Sequence, residues 1–264
     1  MTIQAIERAV DILSLFSLSR PSLGIKEISQ ALDLAQPTVH GIVKTLCRRG
    51  LLVQDLETRK YALGHKVQEL GQIHSGTLKI NRIGSGPAHW LCRKTRLVVR
   101  LSSWDGEVML VTFNVFPNAE YAQFHQMGPR IPAYASASGK AVLAWMPAAD
   151  LSAYLERVRL APYTDHTLTS KKRLVDDLKE TRRRGFALDH EEHVWGIACA
   201  AAPILDASGL PTAAISISGS PEFLTDGSLA TRTVDLKAAA RDISNQLGYS
   251  PEAHPDAREI RAGR

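Results

Sequence analysis

Apolar residues repeat with two different periods along this chain. Through about residue 50 the spacing is helical. Ile6, Ala9, Val10, Leu13 and Phe16 form a 3.6-residue stripe that predicts a first helix. The run Arg20-Pro21-Ser22-Leu23-Gly24 ends it. Ile25, Ile28 and Leu32 share one face of a second, short helix, and Asp33-Leu34-Ala35 makes a tight turn. Pro37 suits the first turn of a third helix, where a missing N–H costs nothing. Val39, Ile42, Val43 and Leu46 form its buried face, and Gly50 ends it. Residues 51–55 and 60–63 read as two short strands around a polar connection, which predicts a hairpin.

Residues 64–82 return to helical spacing through Val67, Leu70 and Ile73, and Gly84-Ser85-Gly86-Pro87 is expected to break that helix. Strands and helices then mix. Strands are expected at 97–103, 108–115, 187–190, 197–205 and 212–218, the first two forming a hairpin around Asp105-Gly106. Helices are expected at 138–146, 171–184 and 229–247. From about residue 250 no apolar period survives, and a frayed tail is expected. The pattern divides the chain into a helical unit with a hairpin (1–64), a linker helix (65–83), a mixed unit (84–249) and a tail (250–264).

The bulk numbers narrow the class. With 264 residues, 44% hydrophobic and 22% charged, the chain is long enough for two domains and apolar enough to bury their cores. No apolar run approaches the roughly 20 residues of a membrane helix, and the charged first helix is unlike a signal peptide. Cys47, Cys92 and Cys199 are odd in number and far apart, as in a reduced, cytoplasmic protein. Of the net charge of +5, most sits in residues 36–66, where six Lys and Arg face two acidic residues.

That charge has a place to act. His40, Lys44 and Arg48 recur every four residues, so they share the exposed stripe of the third helix, opposite its apolar face. Gln36 and Thr38 lie at its N-terminal end. Gln pairs bidentately with adenine, and Thr meets a base edge or a thymine methyl. Lys44, Arg48 and Arg49 suit phosphates, as do Arg59 and Lys60 at the hairpin tip. Three helices followed by a hairpin make the layout of a winged helix-turn-helix. The plainer alternative is a helical cap whose charges are merely solvated.

The segments IERAVDIL (6–13), IKEISQALDLAQPTVHGIVKTLCRRGLL (25–52) and KYALG (60–64) resemble the DNA-binding half of the IclR family of bacterial transcription regulators. ASASGKAVLA (135–144) and RRRGFALDHEEHVWGIACAAAPILDASGLPTAAISISG (182–219) resemble that family's effector domain. The resemblance spans residues 3 to 248. It implies an α+β chain: an N-terminal winged helix-turn-helix, a linker helix, and a GAF-like effector-binding domain around a central antiparallel sheet. It further implies palindromic double-stranded operator DNA and a small-molecule effector, usually a carboxylate or aromatic metabolite, as partners. The chain would be a homodimer, with a dimer of dimers as the larger assembly, using the first and linker helices as contacts. No enzyme activity, cofactor or membrane is implied. One departure stands out: the family often carries Arg after the recognition-helix His, and here the residue is Gly41. Helix propensity falls there by roughly 1 kcal/mol.

Carried over by position, the resemblance implies effector contacts at Ala137, Ser138, Gly139, Asp189, Ile197, Cys199, Ser216 and Ser218. The residue pattern agrees with it. A period of two puts 197 with 199, and 216 with 218, on common faces. A helix N-terminus near residues 136–139 offers unsatisfied N–H groups to an anion. No Arg or Lys cluster lies on these strands, and Lys140 is expected to point away from the cup. Asp189 would accept a hydroxyl of the effector, or would simply cap the following turn. Cys199 reads equally as a buried hydrophobe. Trp195 would either wall the pocket or pack on a helix.

Enzyme motifs fail by spacing. His190-Glu191-Glu192-His193 puts its histidines three apart, where a zinc protease needs four. A structural metal at Asp189, His190 and His193 is the weaker alternative. Gly139-Lys140 lacks the rest of a phosphate loop, and no G-x-S-x-G elbow occurs. The rival class is a small-molecule enzyme or carrier with an N-terminal interaction module.

Overall fold

In the computed structural model, residues 2–118 and 128–250 are described. The expected tail lies almost wholly outside them. The chain divides between Thr77 and Leu78 into two compact units.

The first unit holds α1 (Gln4–Ser14), β1 (Ser22–Leu23), α2 (Ile25–Leu32), α3 (Gln36–Arg48), β2 (Leu52–Gln54), β3 (Tyr61–Leu63) and α4 (His65–Thr77). The strands form a small antiparallel sheet in the order β1-β3-β2. Ile12, Leu23, Ile28, Val39, Val43, Leu46, Leu52 and Tyr61 make one core. α2 begins at Gly24, whose N–H donates to the Glu27 carboxylate at 2.6 Å, and it ends at Asp33 in the left-handed conformation. That side-chain bond and that backbone reversal set the short turn into α3. The stripe expected on α1 is rotated. Ile12 is its fully buried residue, whereas Ile6 and Val10 are exposed.

The second unit holds α5 (Lys79–Thr95), β4 (Val98–Trp104), β5 (Val108–Val115), β6 (Arg130–Pro132), α6 (Ala137–Trp145), α7 (Ala148–Arg157), α8 (Lys171–Arg184), β7 (Ala187–His190), β8 (Ala198–Leu205), β9 (Pro211–Gly219) and α9 (Leu229–Gln246). Six antiparallel strands run in the order β6-β5-β4-β9-β8-β7. α5 and α9 cover one face through Leu91, Val99, Leu101, Ile204, Ile215, Ile217, Leu236 and Ile243. α6 crosses β8 and β9 on the other face.

The linker helix expected over 65–83 is not one helix. α4 stops at Thr77 and α5 restarts at Lys79, so the expected break at 84–87 falls inside α5. Gly84 is there for a close approach. A Cβ at this position would stand 2.6 Å from the Leu101 side chain of β4. Pro87 sits within the helix, where it removes one N–H without ending the helix. The short β1 and β6 and the helix α7 carry too little apolar period to be read from sequence.

Candidate DNA-contact helix and ligand pocket

On α3, Val39, Val43 and Leu46 are buried, while Gln36, His40, Lys44 and Arg48 stand in solvent on the far side. Thr38 is half-buried, and Arg49 is exposed at the C-cap. Lys44, Arg48 and Arg49 form no ion pair among the described residues. Their charge is therefore available to a phosphate. Nothing lies within 4 Å of a Cβ placed at Gly41. The hairpin tip is organised by Asp55, whose Oδ1 accepts the N–H of Glu57 at 2.8 Å and of Thr58 at 3.3 Å. Those bonds hold its carboxyl below the usual range. Arg59 at the tip is exposed and has a left-handed backbone. Lys60 is less free than expected, because its Nζ pairs with the Glu27 carboxylate at 3.3 Å. Such a solvent-exposed pair contributes little and yields to a stronger anion.

In the second unit the strand register sorts the expected contacts into rows. Asp189, Cys199, Ser218 and Val98 lie side by side across four strands. The next row on the same face is Ala187, Ala201, Ser216, Arg100 and Asn114. This is the α6 face of the sheet, opposite α5 and α9. Ser136 caps α6, its Oγ accepting the Gly139 N–H at 3.2 Å. Gly139 has no alternative, since a Cβ there would lie 2.2 Å from Ala133 Cα. Ala137, Ser138 and Gly139 are all buried at this helix start. Ile197 is buried too, but it precedes β8, which begins at Ala198.

Ser138 and Ser216 make no side-chain hydrogen bond among the described residues, although both are buried. The Cys199 thiol donates to Ser218 Oγ at 3.1 Å. Burial pushes that thiol up to about 12, so it stays neutral.

Two expectations about charge are overturned. Arg100 lies on β4 beside Ser216, only 4% exposed, with its Nε donating to Asn114 Oδ1 at 3.1 Å. A cation therefore stands on the pocket strands, and the visible signal was a lone Arg inside the apolar run LVVRLSS. Lys140 does not point into solvent either. It is 1% exposed, with its Nζ between Glu192 Oε1 and, at 3.2 Å, Asp177 Oδ2. That contact ties α6 to α8 and to the HEEH segment.

Asp189 takes the plainer of its two expected roles, with Oδ1 accepting the Glu192 N–H at 2.7 Å. Burial, then the Glu192 charge, pushes its carboxyl up to about 7. Burial also raises Glu192, despite Lys140 beside it. Glu192 O accepts the Thr167 hydroxyl at 2.6 Å and the Thr164 hydroxyl at 3.3 Å, so the segment is held from a third side. His193 packs edge-on against Tyr163, with ring centroids 4.9 Å apart. Burial and the Arg100 charge lower its pKa. Trp195 is neither a pocket wall nor a helix contact. It is 54% exposed, with its ring 4.8 Å from that of His166. Among the described residues no three His, Cys, Asp or Glu side chains are grouped to hold a metal. No described helix is long and apolar enough to cross a membrane.

Comparison with known proteins covers both units. The model of the IclR helix-turn-helix domain matches residues 5–56, and that of the bacterial transcriptional regulator IclR C-terminal matches residues 76–245. The HTH-type transcriptional regulator XynR of Escherichia coli (strain K12) is 34% identical over 247 residues, covering 94% of this chain and 98% of its own length. BhcR of Paracoccus denitrificans (strain Pd 1222) is 34% identical over 249 residues, covering 94% and 88%. The crystal structure of the Thermotoga maritima IclR superposes with a TM-score of 0.72 at 28% identity, across 94% of this chain and 100% of that one.

Proposed function

Since the chain belongs to the IclR family of bacterial transcription regulators, we propose that it is a ligand-responsive regulator whose second unit binds a small carboxylate or aromatic metabolite. The observation that carries this reading is the pair of buried, unpartnered hydroxyls, Ser138 and Ser216, beside the Arg100 side chain on one sheet face. Buried hydroxyls are costly to leave unpaired, and a ligand oxygen supplies what they lack. The start of α6 adds N–H groups for the same anion.

The DNA contacts we assign are Gln36, Thr38 and His40 toward base edges, and Lys44, Arg48, Arg49, Arg59 and Lys60 toward phosphates. The protein acts on a palindromic operator as a homodimer. Support comes from apolar residues that each helix leaves in solvent in a single chain: Ile3, Ile6 and Val10 at α1, and Leu70 and Ile73 on α4. Pairing of dimers through the second unit would give a tetramer. The ligand shifts DNA binding only by its difference in affinity between the DNA-competent and released states.

The test is operator release titrated with small carboxylates and aromatics. Ser216→Ala with Ser218→Ala removes the response while operator affinity and melting temperature stay within error. A double variant that still releases DNA at the wild-type ligand concentration overturns the pocket assignment.

A further inference from the structure

A second cavity of about 480 Å³ lies elsewhere in the same unit, and none of the pocket residues assigned above lines it. Its walls come from the 106–108 turn, residues 132–134, α7 and the 157–163 segment. Its size is that of a small-molecule site. Four features of its lining have a chemical direction.

Tyr154 is 3% exposed, and its hydroxyl approaches the Tyr134 backbone without completing a hydrogen bond. Its donor is thus unsatisfied among the described residues. Arg157 stands one turn further along α7, on the same helix face. Arg157 Nε is spent on Ala153 O at 3.2 Å, leaving the two terminal nitrogens of its fork. Tyr134 and Tyr163 supply an aromatic wall, with ring centroids 6.2 Å apart. The Tyr134 hydroxyl is already used, donating to Ala161 O at 2.8 Å. Arg159 and Glu107, both exposed, complete the charged lining, so cations outnumber anions there.

We propose that this cavity is a second ligand site, for a small aromatic carboxylate. The Tyr154 hydroxyl and the Arg157 guanidinium take the carboxylate, and the ring lies against Tyr134 and Tyr163. Two donors one helical turn apart match two carboxylate oxygens, and a charge-assisted bond to each is stronger than a neutral one. The site does not depend on the sheet-face pocket, but it has a contact toward it. Tyr163 packs on His193, and residues 133–134 lead directly into the start of α6. A ligand here therefore touches two walls that the first pocket also uses.

Calorimetric titration of the full chain with benzoate, with benzylamine as the cation of similar shape, decides the matter. Benzoate binds the Ser216→Ala, Ser218→Ala protein at one site per chain, and benzylamine binds at neither level. Tyr154→Phe with Arg157→Gln weakens that binding at least tenfold. The ring of residue 154 remains, so its edge contact with Trp104 and the melting temperature are kept. Arg157→Gln alone, on an exposed residue, weakens binding about threefold if the double variant folds poorly. No benzoate binding to the wild-type chain overturns the proposal. So does loss of all binding in the Ser216→Ala, Ser218→Ala protein, or unchanged affinity in the Tyr154 and Arg157 variants. Operator release reports separately on the sheet-face pocket.

Discussion

In the first unit the cations Lys44, Arg48 and Arg49 stand in water around an apolar core. In the second, Lys140 and Arg100 lie inside, among Asp177, Glu192, Asn114 and the serines. The difference is one of cost. A solvated charge costs nothing to hold and is ready for a phosphate, and the attraction weakens with salt. A buried charge has lost its hydration and must be paired or hydrogen-bonded where it lies. The same residue types therefore serve recognition of a large anion in one unit, and internal geometry in the other.

The sharpest way to break this contrast is to remove one cation from each unit. Lys140→Met strands Glu192, Asp177 and Asp189 in low dielectric and should destabilise the second unit by about 3–5 kcal/mol. Lys44→Ala should change stability by less than about 0.5 kcal/mol. Urea unfolding of both variants reads this directly, and equal effects would erase the distinction.

The next effect is in pH. Asp189 holds its proton to about pH 7 in the fold, well above an ordinary aspartate. Below the ordinary value both folded and unfolded chains are protonated, and the full contribution is present. As pH rises toward 7 the unfolded chain ionises first, so stability falls, by up to about 4 kcal/mol, and then levels off. Asp189→Asn should flatten that slope while its amide oxygen still accepts the Glu192 N–H. Taking the difference between variant and wild type removes the opposing titration of His193. A variant that loses stability equally at pH 5 and pH 8 would show that Asp189 acts by shape alone.

On the DNA side the effects are smaller and of two kinds. Gln36→Ala should cost roughly 1–3 kcal/mol at one base pair and relax discrimination there. Lys44→Ala or Arg48→Ala should weaken all sequences alike and lower the salt slope by about 1 each. Mobility shifts at several salt concentrations separate the two, and no change in slope would remove α3 from the interface. The smallest effect is at Gly41. Its Cβ position is open, so Gly41→Ala should raise the melting temperature, by up to about 1 kcal/mol of added stability. A loss instead would mean that the glycine is needed for something other than room.

The same contrast explains what could be read beforehand. α3 and its cationic stripe were legible because helix period and charge act locally, within a dozen residues. The strands β4, β5, β7, β8 and β9 were legible from alternation, within a residue or two at each end. The break near Gly84 was misplaced because a glycine that lets a helix approach a sheet looks, in one dimension, like one that ends a helix. Lys140 and Arg100 were misjudged for a related reason. Their surroundings come from Asp177, Glu192 and Asn114, residues 14 to 52 positions away, and no local pattern announces such a meeting. Ile6 and Val10 looked like core because periodicity marks an apolar face without saying what covers it.

The neutral thiol of Cys199 has a consequence for chemistry of a different sort. Oxidants and electrophiles attack thiolates, and a thiol pushed up to about 12 supplies them, at neutral pH, at about one part in 10⁵. The sulfur on the pocket face is therefore inert through conditions that would consume an ordinary cysteine. Peroxide or an alkylating agent meets a chain whose ligand face keeps its thiol, with the half-buried Cys47 of α3 the more accessible sulfur. Damage of that kind would fall first on the helix that carries the DNA contacts, and last on the surface that holds the small molecule.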